Sequence, residues 1–411
     1  MKTIRTAVGI VALCCASTLA STSAQSLTWL GRLGGSSSAA SDVSDSGVVV
    51  GTTDSPSGIR AFRWTANTGM QSLGILATTG ESFGFAISQD GGVIVGTSDA
   101  PNRMRIAFRW TAANGMQTVL GSNPYNSAAA GISANGDRIV VNLRRPQGNS
   151  FVRFVIFATP NGIIQLDPPV GSAISASACS ANGGAIVGSM TIYPAPNVTQ
   201  RAFRWTAQTG IQNLGALTNA TFANSYARCV SADGSIVYGI SEQGSGGNWV
   251  MFRWTPETGM VSTGVAMLPA DTTADGSVVV GGLGSLGAVR WTQANGIEDL
   301  NQTYAALIRP GWKLTVATAI SSDGRYIVGV GEFQGDDWVE QEAFLLDTQA
   351  QCAAHNGDVD QNGCVDDADL LAVLFAFGNT GSNLGRVDVN CDSTVDDADL
   401  LMVLFNFGNG C

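Results

Sequence analysis

The stretch GFAISQDGGVIVG at 84–96, followed by AFRWTAANGMQTVL at 107–120, decides the fold of this chain. Alternating apolar residues and tight Gly-containing turns predict four short strands in this segment. The predicted strands are Gly84–Ser88, Val93–Gly96, Ala107–Thr111 and Met116–Leu120.

The two markers of this segment recur along the chain. The Phe-Arg-Trp-Thr motif or a degenerate copy includes Phe62, Phe108, Phe157, Phe203, Phe252, Val289 and Phe344. A Ser-x-Asp/Asn-Gly marker or near relative begins at Ser44, Ser88, Ser133, Ser180, Ser231, Thr273 and Ser321. Seven copies of four strands, spaced about 40 to 55 residues apart, predict an all-β, seven-bladed β-propeller. An open solenoid is the alternative.

The N-terminal segment accounts for the strand that the last repeat lacks. The seventh copy ends after its third strand, near Asp347, whereas Leu27–Gly31 resembles a fourth strand without a repeat of its own. We expect this segment to complete the seventh blade and close the ring.

Within each motif, alternation places the Phe and Trp on one face, packed between blades, and the Arg on the other.

Charge is distributed very unevenly. The chain has 411 residues, 51 of them glycine, and a net charge of −11. Its last 60 residues hold ten Asp and one basic residue, Arg386, so they carry −9. An acidic chain is unsuited to nucleic-acid binding, which needs a basic surface. The single histidine, His355, also excludes most His-based catalysis.

The N-terminus has the features of a secretory signal peptide. Lys2 and Arg5 precede an apolar segment, Thr6–Ala20, and small residues follow up to Ala24. We therefore expect a signal peptide at 1–24, the propeller at 25–350 and a small acidic domain at 351–411. No later segment is apolar enough to span a membrane, so we expect a secreted or cell-surface protein.

Six cysteines remain after the signal peptide, which suggests three disulfides in an oxidising compartment. The spacing alone leaves the connectivity open. Cys352–Cys411 and Cys364–Cys391 are the preferred pairs in the tail, and Cys179–Cys229 is the candidate in the body.

The repeats resemble the extracellular HAF repeat family over residues 27–347. Its units combine an Ala-Phe-aromatic strand, a Gly-Met turn, a Leu-Gly pair and a Ser-x-x-Gly-x-Val-Val-Gly hairpin, as Ala61-Phe62 and Gly69-Met70 illustrate. This chain has Arg60 or Arg201 where the family often has histidine. The resemblance implies export and a repeat scaffold, without a defined activity.

The acidic tail contains two copies of a 12-residue loop, at 358–369 and 388–399, each followed by an apolar segment of helical length. Oxygen ligands at loop positions 1, 3, 5, 7, 9 and 12 suit Ca²⁺, with position 7 contributing its backbone carbonyl. The predicted ligands of two calcium ions are Asp358, Asp360, Asn362, Cys364, Asp366, Asp369, Asp388, Asn390, Asp392, Thr394, Asp396 and Asp399. Position 6 favours Gly, so Gly363 fits the first loop better than Ser393 fits the second. A solvated acidic surface is the alternative.

The duplicated loop and helix resemble a type I dockerin domain over residues 356–409. The resemblance implies binding of a cohesin-like or cell-surface protein, with loop positions 10 and 11 helping to select it. These positions are Asp367, Ala368, Asp397 and Ala398, and they differ from the Ser-Thr pair of many cellulosomal dockerins.

The connections that vary most between repeats should form one face of the propeller. Trp249, Trp312 and Trp338 fall in these loops and could stack on a glycan, or they are packing residues at the rim. We expect a secreted, non-catalytic binding or scaffold propeller, attached to a partner through its calcium-loaded tail. The alternative is a polysaccharide-degrading enzyme that carries a dockerin, with Glu242, Glu340 or Glu342 as candidate carboxylates.

Overall fold

The computed structural model of the protein describes residues 25–101, 104–121, 125–147, 150–193, 198–218, 223–244, 247–335, 339–349, 355–360, 362–380, 384–392 and 394–411. The chain divides into two units, one comprising Ser26–Thr348 and the other including Gln349–Cys411. The predicted signal peptide lies outside the described residues.

The first unit consists of seven antiparallel sheets of four strands each. The first strands of the blades are β2 Ser38–Val43, β6 Ser82–Ile87, β10 Asn126–Ile132, β14 Ser172–Cys179, β18 Ser225–Val230, β22 Leu268–Thr272 and β26 Trp312–Ile320. The second strands are β3 Val49–Thr53, β7 Val93–Asp99, β11 Ile139–Gln147, β15 Ala185–Ile192, β19 Val237–Gln243, β23 Val278–Leu283 and β27 Tyr326–Gln334. The third strands are β4 Arg60–Thr65, β8 Arg105–Thr111, β12 Ser150–Thr159, β16 Thr199–Thr206, β20 Asn248–Thr255, β24 Gly287–Thr292 and β28 Val339–Asp347. The fourth strands are β5 Gly69–Ser72, β9 Gly115–Thr118, β13 Gly162–Leu166, β17 Gly210–Gly215, β21 Gly259–Ser262, β25 Gly296–Asp299 and, for the seventh blade, β1 Ser26–Trp29.

The predicted closing strand is found in the last blade. Strand β1 pairs with β28, and Leu27 lies opposite Leu346 in the register. The last blade therefore has the order β26, β27, β28, β1, with the N-terminal strand at its outer edge. The seven-bladed propeller with four-stranded blades is confirmed.

Buried apolar clusters lie between every pair of neighbouring blades. There are seven such clusters in the described propeller. The cluster that joins the first and last blades includes Val49 and Trp64 from one and Val328 and Leu345 from the other. Because this junction is packed like the other six, the ring is closed, and the open solenoid is excluded.

The Phe of the repeat motif explains the Gly of the preceding strand. Phe62 is fully buried and lies opposite Gly51 in the β3–β4 ladder. A Cβ at Gly51 would come within 2.8 Å of the Phe62 ring and 2.1 Å of the Ala39 carbonyl oxygen. Gly96 and Phe108 repeat the arrangement in the second blade. The pairing confirms that the repeated Phe packs between blades.

The first strands meet around a central opening, where residues of all seven blades line one cavity. A partial ring of backbone hydrogen bonds surrounds it. In the first, second, third, fifth and sixth blades, the residue after the marker Ser or Thr donates its N–H to the equivalent carbonyl of the next blade, as Asp45 does to Gln89 at 3.1 Å. At the last junction the Asp45 carboxylate instead accepts the Ser322 N–H at 2.8 Å. Asp45 therefore links the first and last blades.

Each first strand also contains a β-bulge before the marker Ser. Asp42 and Asp271 occupy equivalent positions just after the bulge in the first and sixth blades. The Asp42 carboxylate accepts the N–H of Ile87 in the next blade at 2.9 Å, and Asp271 accepts that of Ile320 at 3.0 Å. Both carboxyls are thus part of the contact between neighbouring blades.

A short helix, α1 Leu300–Thr303, and a 3₁₀ turn, Ala305–Leu307, follow the sixth blade. The second unit contains α2 Asp367–Ala376, a 3₁₀ turn at Gly385–Val387 and α3 Asp397–Phe405. Its core consists of five fully buried valines: Val365, Val373, Val389, Val395 and Val403. In the part of the chain that the structure describes, no helix is long and apolar enough to cross a membrane.

The two halves of the second unit exchange backbone hydrogen bonds. Val365 of the first loop donates its N–H to the Asn409 carbonyl beyond α3, at 3.0 Å. Val395 of the second loop donates to the Asn379 carbonyl beyond α2, at 2.9 Å. Each loop is therefore supported by the segment that follows the other helix.

Candidate metal centre

The first acidic loop brings three carboxylates together. Ligand oxygens of Asp358, Asp360 and Asp369 all lie within 4.8 Å of one another. Asp369 is fully buried, and its carboxylate accepts the N–H groups of Val359 at 2.6 Å and Asp366 at 2.9 Å. Burial alone would raise the pKa of Asp369, but these backbone donors lower it below its usual value. The carboxylate is therefore held ionised and fixed in orientation.

One oxygen in this loop lacks a partner. Asp358 Oδ2 accepts the Gly363 N–H at 3.2 Å, whereas Asp358 Oδ1 is buried and has no hydrogen-bond partner among the described residues. A buried, unpaired carboxylate oxygen is costly unless a donor or a cation compensates it. Three converging carboxylates around such an atom fit a hard cation with oxygen ligands.

The second loop repeats the arrangement. Asp388, Asp392 and Asp399 form its carboxylate triad, again with ligand oxygens within 4.8 Å of one another. Asp399 is fully buried and accepts the N–H groups of Asn390 and Asp396, both at 2.9 Å. Both triads consist of loop positions 1 and 12 together with whichever of positions 3 and 5 is an aspartate. Both triads can hold a metal ion.

The other predicted ligands lie in the same loops as the triads. Asn362 accepts the Cys364 N–H at 2.8 Å, and Asn390 accepts the Asp392 N–H at 2.9 Å. Asp366 and Asp396 are the N-caps of α2 and α3. Each forms a capping box with the aspartate of position 12, which is a sequence signal for the start of a helix.

The preferred disulfide pairs in the tail were wrong. Cys364 is bonded to Cys411, and Cys391 is also in a disulfide, whereas Cys352 lies outside the described residues. The reason is the exchange of hydrogen bonds between the halves. Because Gly408 donates to the Val365 carbonyl at 2.8 Å, the chain after α3 runs beside the first loop and brings Cys411 to Cys364.

Cys179 and Cys229 are free thiols, so the predicted bond between them was also wrong. Cys229 lies directly after the bulge of its strand, whereas Ala178 occupies that position in the preceding blade. Cys179 is therefore offset by one residue, which turns its side chain to the other face of the sheet. The two thiols belong to different interblade cores.

The residues predicted to select a partner are exposed. Asp367, Ala368, Asp397 and Ala398 all lie in the first turns of their helices. Beside them, both helices present large exposed apolar side chains, which we call the helix apolar surface: Leu371, Leu374, Phe375, Phe377, Leu401, Leu404, Phe405 and Phe407. Phe375 and Phe405 are 86% and 82% exposed. Such an arrangement within a small unit is typical of an interaction surface.

The predicted aromatic ligand face is only partly described, because Trp338 lies outside the described residues. Trp249 and Trp312 lie in strands β20 and β26 rather than in loops. The Trp312 ring stands 4.5 Å from that of Trp29, and Arg309 lies over both. Trp249 is 36% exposed, with its ring 5.7 Å from that of Tyr226.

The candidate carboxylates of an enzyme are engaged in other contacts. Glu342 is buried and accepts hydrogen bonds from the Gly31 N–H at 3.0 Å and from Arg32 at 3.1 Å. Glu340 also forms an ion pair with Arg32. Glu242 lies in the fifth blade, where it accepts the Asn224 N–H at 3.0 Å.

No protein-family model matches the chain, and no curated protein matches it. Similar solved structures include TolB from Acinetobacter baumannii, with 13% identity, a TM-score of 0.40, and coverage of 73% of this chain and 63% of TolB. One of two prolyl endopeptidases has 10% identity and a TM-score of 0.48, over 79% of this chain and 50% of its own. The β-propeller domain of the Trilobed protease from Pyrococcus furiosus has 8% identity and a TM-score of 0.47, over 77% of this chain and 97% of its own. This chain thus spans less than two thirds of the first two.

Proposed function

We propose that this protein is a secreted, non-catalytic propeller that binds a protein partner through a calcium-loaded, dockerin-like C-terminal unit. The observation that carries the proposal is the duplicated acidic triad, with the unpaired Asp358 Oδ1 in the first copy. Each triad directly precedes a helix whose outer residues are apolar and exposed.

Calcium would be held by the carboxylates of the two triads, with the amide oxygens of Asn362 and Asn390 as further ligands. The ion supplies positive charge that offsets the converging carboxylates. Because Asp369 and Asp399 also belong to the capping boxes of α2 and α3, the residues that hold the ions also fix the start of each helix. Ion binding would therefore stabilise the helix apolar surface.

An extracellular location is part of the proposal. The Cys364–Cys411 disulfide supports it, because disulfides persist in oxidising compartments. The engagement of Glu340 and Glu342 with Arg32 gives the alternative of a polysaccharide-degrading enzyme no support.

The interaction with a protein partner is tested by immobilising the full chain and passing over it the cell-surface proteins of the producing cells. The experiment is done once with Ca²⁺ and once with EDTA. We expect a protein partner to be retained with Ca²⁺ and released by EDTA. Replacing both exposed phenylalanines, F375S and F405S, should abolish retention without unfolding the propeller.

The matched control is V261S, which removes an apolar side chain that is 49% exposed on the propeller. Retention that is insensitive to EDTA, or equally weakened by V261S, would show that the propeller rather than the tail carries the interaction.

A further inference from the structure

One cleft of the propeller combines several arginines. It spans the second, third and fourth blades, has a volume of about 400 Å³, and its lining includes Arg105, Asn126, Arg144, Arg153 and Ile174. Three of the lining residues are arginines, and none of the described lining residues is a carboxylate. The lining of the cleft includes no residue of the acidic loops and neither Trp249 nor Trp312.

The strand register of the third blade places two of these arginines side by side. Arg144 lies directly opposite Arg153 in the β11–β12 ladder and opposite Asn126 in the β10–β11 ladder. Two like charges at directly opposed positions destabilise a sheet. Both arginines are exposed, and Arg153 forms no ion pair with any described residue. Arg144 and Arg153 therefore place two exposed guanidinium groups side by side at the cleft.

The surrounding sequence has the same bias. Residues 100–160 contain seven arginines and one acidic residue, Asp137, so this segment carries +6 in a chain whose net charge is −11. A positive segment in an otherwise acidic chain creates a local field that attracts anions to this region.

Other groups fix the shape of the cleft. Arg105 is held by Glu81 at 2.9 Å and Asp99 at 3.2 Å. The Asn142 side chain is committed to the backbone of Ala176 in the fourth blade, with bonds of 3.0 and 2.8 Å. Arg144 and Arg153 thus project beside a lining that neighbouring blades hold in place.

We propose that this cleft binds an acidic oligosaccharide through its carboxylate or sulfate groups. The guanidinium fork matches both oxyanions with paired hydrogen bonds. A cleft of this volume takes a small ligand, with apolar side chains such as Leu143 beside a few polar groups. The acidity of the rest of the chain disfavours long nucleic acids.

Calorimetry on the full chain tests the proposal with four probes: trigalacturonate, its methyl ester, a sulfated disaccharide and a hexaglutamate peptide. We expect trigalacturonate or the sulfated disaccharide to bind, and the preference between them identifies the anion. The methyl ester should bind at least about 10-fold more weakly, in line with the loss of charge-assisted hydrogen bonds.

The double variant R144Q/R153Q should weaken binding by about 10-fold or more, while its melting temperature stays equal or rises because the like-charge pair is removed. R145Q is the matched control, since the Arg145 side chain lies over the Phe154 ring and outside the cleft lining. It should leave affinity within about twofold. Binding of hexaglutamate alone, of none of the probes, or equal losses in R145Q and R144Q/R153Q would overturn the proposal.

Discussion

Arg32 and Glu342 are 310 residues apart in the chain, and their side chains form an ion pair at 3.1 Å. Glu342 also accepts hydrogen bonds from the Gly31 N–H and from Arg309, at 3.0 and 3.3 Å. The segment that follows strand β1 is therefore fixed to the last blade by a buried carboxylate as well as by the sheet.

We predict that E342A lowers the free energy of unfolding of the propeller by about 3 kcal/mol, because a buried charged network loses its acceptor. The loss should affect the whole ring, since β1 closes it. Urea denaturation followed by tryptophan fluorescence measures it. E332A, which removes an exposed hydrogen bond to Gln341, is the control and should cost less than about 1 kcal/mol. Equal effects of the two variants would contradict this role of Glu342.

Stability should depend on pH through the two buried aspartates of the first strands. Burial raises the pKa of Asp42 to about 8 and that of Asp271 to about 6, and the backbone donors offset this only in part. Between the ordinary value of 3.8 and these values the folded state binds more protons than the unfolded state. Their contribution to stability is therefore complete below about pH 4 and lost as the pH rises towards 8, by up to about 1.4 kcal/mol per pH unit for each group.

Urea titrations at pH 5, 7 and 9 measure this dependence. D42N should flatten the decline up to pH 8. D271N should flatten the part below about pH 6 and also reduce the decline above it, because the charge of Asp271 helps to raise the pKa of Asp42. D167N, at an exposed position, should leave the slope unchanged. A wild-type stability that rises from pH 5 to pH 9 would contradict the assignment.

Calcium binding should have a stoichiometry of two, and D358N should reduce it to one. Asn at this position keeps an acceptor for the Gly363 N–H and removes the charge beside the unpaired oxygen. Without calcium, D358N should therefore be as stable as the wild type or more so. Calorimetry and melting curves with and without EDTA measure both quantities.

D392N should remove the second ion in the same way, and D167N again serves as the control. If D358N and D392N each abolished both ions, the two sites would not be independent. If neither changed the stoichiometry, the triads would not be the sites.

Two cysteines of the propeller, Cys179 and Cys229, are free thiols. Peptide mapping without reduction should recover Cys364 linked to Cys411, and alkylation after denaturation should label Cys179 and Cys229. Burial raises the pKa of Cys179 to about 12 and that of Cys229 well above its usual value, so both should react slowly with iodoacetamide in the folded protein at pH 8. Rapid labelling of the native protein would contradict the raised pKa of these thiols.

The propeller was predictable because the strands and turns of each repeat are determined by the sequence of that repeat alone. The alternation around Phe62 and Trp64, and the Gly opposite Phe62 and Phe108, are features of single blades. The acidic triads were also contained in one loop each. The sequence could not reveal contacts that depend on long-range pairing: the bond of Cys364 to Cys411 follows from the exchange between the halves, and the role of Glu342 follows from ring closure.

The arginine cleft could be predicted from the sequence only in part. The charge of residues 100–160 is visible in the sequence, but the opposition of Arg144 and Arg153 depends on the register of a blade whose motif is degenerate. A one-residue shift of that register would separate the two side chains onto opposite faces.

The hydrogen bonds around the central opening distinguish one junction from the others. Links such as Gln89 to Ala134 join backbone to backbone and do not depend on side chains. The Ser322–Asp45 link uses a side chain and occurs where the ends of the propeller segment meet. Gain or loss of an internal repeat during evolution would therefore leave the contact between Asp45 and Ser322 intact.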